Sequence, residues 1–587
     1  MFKTISKIFI LVLFVGACSQ TVEQSQSVSA DQLLQQIIAD EKLYQDSLDP
    51  YKAENNILMY DASPEALAAY HQQVSQLYKR LQQISSVELS GDNVINWTIL
   101  SYKLKNDIDS YNNFDHYIPL TAEAGFHAYI SYMSSRSSFK NIADYQLYLR
   151  RLKALDTYFE QQTYWLKQGL ASGITQPKVV LTGFEDSISA FIVTDAVLSD
   201  YYQPFKNMPS HISAEQQQAL QAEAQQVILQ KINPMYQRFY DFMVTTYIPN
   251  ARQSIAASDL PNGAEFYQNR IEHYTTLAMT ADEVHNIGLT EVARIRGQME
   301  AIIEQVGFKG SFAEFVDFLR TDPQFYATTP EQLLKEASFI AKKMDAQLPK
   351  LFKTLPRTPY GVIAVPASIA PKYTTGRYSG PSRDDQPGNY WVNTYALDRR
   401  PLYVLEALTL HEAVPGHHLQ GSIAREMEGV PEFRNEVYIS AFGEGWGLYS
   451  EYLGIEAGFY QDPYSDFGRL TYEMWRAVRL VVDTGMHTKG WTRQQAMDYL
   501  ANNSALSLHN VQTEIDRYIS WPAQALSYKL GEITIKRLRI EAEQALGENF
   551  DVREFHDQIL KNGSIPLSLL EDIIHDYIDT KQAELSN

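Results

Sequence analysis

One cysteine, Cys18, stands in 587 residues, and once it is modified no thiol remains for a disulfide or a cysteine nucleophile. Basic residues are also short: 50 Lys and Arg face 70 Asp and Glu, a formal charge of −20. That balance sets aside nucleic acid and anionic lipid faces as partners; an acidic surface mainly keeps a protein soluble. Long apolar runs are missing except at the start, so no second membrane segment is expected, and no internal repeat is visible.

The opening MFKTISKIFILVLFVGAC joins a short n-region carrying Lys3 and Lys7 to an apolar run and small residues, the pattern of a secretory signal rather than a span. Val15-Gly16-Ala17-Cys18 resembles a bacterial lipobox, which implies cleavage before Cys18 and a lipid anchor on it, the alternative being an ordinary signal peptide. Ser19 in place of an aspartate favours, by the same resemblance, the outer membrane, and the body is expected on its periplasmic face. Removal of Lys3 and Lys7 with the signal gives 48 − 70 = −22. The expected organisation is a signal at 1–17, a lipidated Ser/Gln-rich tether at 18–30, a mainly helical lobe at 31–350 and a catalytic lobe at 351–587. A chain that is 45% hydrophobic and of this length can fill two adjoining cores.

Helical spacing dominates the first lobe. Leu67, Tyr70, Val74, Leu77, Leu81 and Ile84 follow Ser63-Pro64, an N-cap with proline at the first helical position. Thr280 to Glu283 reads as a capping box, and Thr329-Pro330 repeats the Ser63-Pro64 device. Between Pro356 and Thr394 the composition turns to Pro, Gly, Tyr and β-branched residues, in GVIAVPASI and in NYWVNT after Gln386-Pro387-Gly388, so a few short strands are expected there. Helical patterns resume from about Pro401.

The stretch HEAVPGHHLQ, His411 to Gln420, interrupts an apolar helix (VLEALTL). Two imidazoles one helical turn apart, with a glutamate beside the first, can share a metal ion and reach a water on it. Here His417 lies six positions after His411 and His418 seven (417 − 411, 418 − 411), and neither spacing fits a regular helix. Pro415 has no N–H for the helical ladder, so a bulge at Pro415-Gly416 can absorb two residues and make His417 an effective i+4 partner. A third ligand is expected from AFGEGWGLYSEYL, where Glu444 and Glu451 share a face and Gly443, Gly445 and Gly447 permit close approach to a neighbouring helix.

The segments HEAVPGHHLQ, FGEGWGLYSEYL, VDTGMH and RYISWPAQALSYKLG, in this order, resemble the bacterial family catalogued as domain of unknown function 885. That family is similar in turn to helical zinc peptidases such as thimet oligopeptidase, angiotensin-converting enzyme and the Taq-type carboxypeptidases, whose HExxH is uninterrupted. The resemblance implies a mainly α fold, a large helical bundle with two lobes around a deep channel and a small β-sheet next to the active-site helix. In those relatives the second histidine follows a glycine, as His417 follows Gly416, and the ligand glutamate is followed seven positions later by another, as Glu444 is by Glu451. It therefore implies Zn²⁺ on His411, His417 and Glu444, with His418 and Glu451 orienting the ligand imidazoles.

On this reading the zinc activates water and polarises a carbonyl, while Glu412 takes the proton and passes it to the leaving amine. Tyr518, Tyr528 and His487 are candidate donors to the oxyanion, Tyr528 because Tyr528-Lys529-Leu530-Gly531 after Pro522 resembles the Taq-type pattern. Arg476, Arg479, Arg517 and Lys529 could receive a substrate carboxylate, as a carboxypeptidase or dipeptidyl carboxypeptidase requires. Asn389 to Thr394 is the candidate sheet edge for a bound peptide. Short peptides are the expected substrates. The alternatives are a metal-dependent amidase on a cell-wall or other non-peptide amide, and an envelope binding protein with a degenerate metal site; an intact Glu412 speaks against the latter.

Overall fold

The structure, a computed structural model, describes residues 28–52, 57–367, 369–383 and 385–586; the signal segment and Cys18 lie outside them. It is mainly α, with one three-stranded sheet among the described residues. None of their helices is long and apolar enough to cross a membrane.

Local chemistry explains the helix starts. Ser63 accepts the Ala66 N–H ahead of Pro64–Leu81, whose Val74, Leu77 and Leu81 are buried. Both arms of the capping box form at Thr280, opening Ala281–Gln305, and Thr329 caps Pro330–Asp345. One apolar core runs from Leu34 to Ile578 through both halves of the chain, with a smaller cluster around Tyr267, Leu480 and Leu530.

The sheet comprises β1 (Tyr360–Ala364), β2 (Gly376–Ser379) and β3 (Gly388–Val392) in the order β1-β3-β2. β3 pairs in parallel with β1 and antiparallel with β2. This corrects the expected edge: Asn389 to Val392 belong to the central strand, whose backbone is paired on both sides. The edge strand beside the histidine helix is β2.

The helix Pro463–Thr488 is buried on every side from Phe467 to His487. Such a helix is usually apolar all round, yet Arg469, Glu473, Arg476, Arg479, Asp483 and His487 are among its buried residues. Each finds partners: Arg469 with Glu473, Arg476 with Glu451, Arg479 with Glu514, and Asp483 with the Tyr267 hydroxyl (2.6 Å) and the Ala523 N–H (3.1 Å). Burial nevertheless raises the Asp483 carboxyl to about 7, outweighing the bonds from Tyr267 and Ala523. The folded state therefore holds a proton that the unfolded chain releases near pH 4. Stability from this group is present below that pH and is lost as pH rises towards 7, by roughly 4 kcal/mol in all. Asp483→Asn, whose amide oxygen can still accept both bonds, is expected to abolish this loss; melting temperatures of the two proteins should diverge, in favour of the variant, between pH 5 and pH 8.

The helices Ser440–Glu456 and Ser527–Leu546 cross at a pair of glycines. A Cβ on Gly445 would lie 2.6 Å from the Gly531 Cα, and one on Gly531 would lie 2.0 Å from the Ala441 carbonyl oxygen. Backbone blocks both, so relief requires the helices to part. Gly445→Ala is expected to destabilise by about 3 kcal/mol, the upper part of the overpacking range, with a lowered melting temperature.

Candidate metal centre

The histidine helix Leu405–Glu412 stops at Glu412, and a new helix, His417–Arg425, starts at His417. Across the gap the Gly416 N–H donates to the Leu410 carbonyl (3.0 Å) and the His418 N–H to that of Ala413 (3.0 Å). The first of these bonds spans six residues, the ordinary four plus the two inserted at Val414-Pro415, so His417 returns to the side of His411. The Val414–Pro415 bond is cis. Trp446, fully buried, clamps the loop by donating its Nε1–H to the Pro415 carbonyl at 2.8 Å. Gly416 is required there, since a Cβ would meet the His411 carbonyl oxygen at 1.9 Å.

His411, His417 and Glu444 offer one ligand atom each, all within 4.8 Å of one another. Glu444 Oε2 is 3.5 Å from His411 Nε2 and 3.3 Å from His417 Nε2. Charge-assisted N–H···O bonds close to about 2.7–2.9 Å, so these gaps are long for direct hydrogen bonds. They match the edge of a tetrahedron about an ion with ligands at 2.0–2.1 Å, about 3.3 Å. Two imidazoles and one carboxylate are also a donor set suited to zinc. The residues present therefore fit the group.

His411 is held for this task. Its Nδ1 faces Glu451 Oε1 at 2.8 Å, and Arg476 lies 3.4 Å from the same oxygen. Donation from Nδ1–H to that carboxylate leaves the Nε2 lone pair towards Glu444 and His417. Gly447 permits the approach, because a Cβ there would meet the His411 ring at 2.7 Å, while a Cβ on Gly443 would meet the Tyr438 ring at 2.4 Å. Burial alone would lower the His411 pKa, but Glu444, Glu451 and Glu412 outweigh it and raise it to about 10. Burial likewise opposes the charge on Glu444, and His417 and His411 pull its carboxyl well below its ordinary value. Protons and a cation thus compete for the same atoms.

Glu412 is not among the ligand atoms. Its Oε2 accepts the Tyr378 N–H of β2 at 2.7 Å, which fixes the carboxylate beside the centre. His418 does not orient the ligand imidazoles, contrary to expectation. It points the other way, with Nδ1 at 3.1 Å from the Tyr378 hydroxyl and 3.3 Å from Ser422 Oγ and its ring against Tyr360. Its effect on the centre runs through Tyr378 and hence Glu412.

The other expected site residues divide. Tyr528 is buried, its hydroxyl receives one long bond from Arg517 (3.4 Å) and donates to no described residue, and its ring lies 4.2 Å from the Arg479 guanidinium. Tyr518 is corrected, because its hydroxyl already donates to Glu514 (2.7 Å) and accepts from Trp475 and Arg479 (2.8 Å each), leaving no proton for an oxyanion. His487 is corrected too. Ala257 N–H donates to its Nδ1 (2.9 Å) and its Nε2–H serves the Tyr518 carbonyl (3.1 Å), while burial lowers its pKa to about 4.

The expected carboxylate receivers are partly spoken for. Lys529 is buried among Glu291, Glu473 and Glu532 at 2.7–3.0 Å. Arg517 bonds Gln524 (2.7 Å), Arg476 faces Glu451, and Arg479 is enclosed by Tyr518 and Glu514. Lys529, with a carboxylate for each of its three protons, holds the wall rather than a ligand, whereas Arg476 Nε, Arg479 Nη1 and Arg517 Nε are buried without a hydrogen-bond partner.

Tyr438 escaped the sequence reading, for among 38 tyrosines nothing in its neighbourhood sets it apart. It is 56% exposed, yet its hydroxyl donates to Glu444 Oε1 at 3.1 Å, leaving Oε2 for the histidines. Removing that bond in Tyr438→Phe is expected to weaken zinc binding by roughly 10-fold without unfolding the protein, a change read by chelator competition.

Fold and site together define a mainly helical protein built around a His–His–Glu centre, His411 buried and His417 and Glu444 half-buried, with an adjacent carboxylate. A family profile described as "Bacterial protein of unknown function (DUF885)" matches residues 51–574, and the chain belongs to that family. It is similar to the crystal structure of a putative lipoprotein from Colwellia psychrerythraea, with a TM-score of 0.84 and 28% identity over 94% of this chain and 100% of that one. It also shares the fold of a putative lipoprotein of unknown function from Shewanella oneidensis, with a TM-score of 0.70 and 17% identity over 93% of this chain and 100% of that one. No curated protein matches.

Proposed function

We propose that this protein is a zinc-dependent peptidase that hydrolyses short peptides in the cell envelope. The observation that carries the reading is the set of 3.3 and 3.5 Å separations from Glu444 to His417 and His411, with the uncoordinated Glu412 beside them. A zinc ion held by His411, His417 and Glu444 supplies Lewis acidity towards a scissile carbonyl and makes water a better nucleophile near neutral pH.

The remaining chemistry belongs to the chain. Glu412, anchored through Oε2 by the Tyr378 N–H, has its other oxygen available to take a proton from water and return it to the leaving amine. Glu451 holds the His411 ring in one tautomer, and Tyr438 holds the Glu444 carboxylate. Tyr528 carries the hydroxyl best placed to donate to a developing oxyanion, its own proton being uncommitted. The exposed edge of β2 runs past Glu412 and is where an extended peptide would add a strand.

Two features of the surroundings support the envelope setting: the sequence Val15-Gly16-Ala17-Cys18, and the description of both similar structures as lipoproteins. We place the body on the periplasmic face of the outer membrane, tethered through a lipid on Cys18. The test of activity is metal removal. Chelator-treated protein should lose amino-acid release from a panel of short peptides and regain it with zinc; undiminished release from metal-free protein would defeat the proposal.

A further inference from the structure

The four cations expected to receive a substrate carboxylate are buried and each already holds at least one protein partner, but β2 supplies an exposed one. The Arg377 side chain is exposed, and among the described residues its guanidinium makes no hydrogen bond or ion pair; it lies 5.6 Å from the Tyr373 ring centroid. It immediately precedes Tyr378, whose N–H holds Glu412. Crowding works against its charge, whereas Tyr373, Glu123, Glu412 and Tyr528 favour it. The side chain therefore stands within electrostatic reach of both the base and the candidate oxyanion donor.

An exposed arginine without a protein partner, its charge favoured by two carboxylates, is free to take a ligand. Its planar fork matches a carboxylate in two parallel bonds. Without Arg377 an anion here would be repelled by Glu123 and Glu412, whose charges reach the same place. Arg517 already spends Nη2 on Gln524 and lies 4.0 Å from Glu123.

We infer that Arg377 is a specificity-determining residue that receives a carboxylate of the substrate, so that the site prefers peptides presenting a negative group next to the cleaved bond. The inference rests on the peptidase reading. The carboxylate has two sources, a free C-terminus or an acidic side chain, and they share this chemistry.

The test is binding to the zinc-loaded Glu412→Gln protein, measured by calorimetry so that no turnover is needed. The probes are an acetylated tetra-alanine peptide as free acid and as C-terminal amide, together with amidated tetrapeptides carrying one glutamate or one glutamine. One acidic probe should bind about 10- to 100-fold tighter than its neutral counterpart. Adding Arg377→Met should bring that ratio near unity, and Arg377→Lys should keep part of it. Preference within the first pair marks a carboxypeptidase, and preference within the second an acidic side-chain pocket; either supports Arg377. Equal binding of acid and neutral probes, or a preference untouched by Arg377→Met, overturns the inference. Failure of the peptidase reading looks different: the zinc-loaded protein with Glu412 intact would hydrolyse none of the four probes.

Discussion

Glu412→Gln is expected to lower kcat for short peptides by about 100- to 10,000-fold, the usual worth of a positioned general base, while bound zinc stays at the level of the unaltered protein. The two readouts separate because Glu412 stands beside the ligand set without belonging to it. Glutamine preserves the shape of the side chain, and its amide oxygen can still accept the Tyr378 N–H. What it loses is the capacity to take a proton. Loss of zinc along with activity would instead make Glu412 part of the metal shell, and unchanged hydrolysis would leave it without a role.

The second large effect distinguishes the adjacent histidines. His417→Ala should lose zinc affinity by more than the roughly 100-fold typical of a supporting residue, because it removes one of the three atoms that could hold the ion. His418→Ala should keep its zinc. Its ring packs on Tyr360 with centroids 4.4 Å apart and contacts the Tyr378 hydroxyl, so its loss acts through the strand that holds Glu412. A moderate fall in kcat with metal content intact is the expected signature. Zinc titrations of the two variants read the difference directly, and a reversed result would mean that the inserted loop presents the other histidine.

The helical character, the caps at Ser63, Thr280 and Thr329, and the location of the strands were legible because they depend on neighbours in sequence. So was the pairing of His411 with His417, since Pro415 cannot donate to the ladder and two residues had to be accommodated. The glycines around Glu444 were legible as a class. Their separate reasons are tertiary: Gly443 meets Tyr438, Gly445 meets Gly531 and Gly447 meets His411. Strand order could not be read, because NYWVNT suits a central strand as well as an edge, and the order depends on which segments pair.

The donors were harder still. Tyr518, His487, Lys529 and Arg517 have the right chemistry, but a side chain's availability depends on what it already bonds. The buried polar stripe of Pro463–Thr488 and its neighbours absorb Tyr518, His487 and Lys529 and take up part of Arg517. Tyr438 and Arg377 show the converse. Neither lies in a motif, and each matters through a single spatial relation, Tyr438 to Glu444 and Arg377 to the cleft beside Glu412.

The central claim, one zinc ion on His411, His417 and Glu444, is tested most directly by zinc-edge X-ray absorption on protein loaded with a single equivalent of zinc. The account predicts two imidazole nitrogens and one carboxylate oxygen from the protein, with one imidazole lost in His417→Ala and none in His418→Ala. A spectrum without histidine ligands, or one unchanged by His417→Ala, would contradict it.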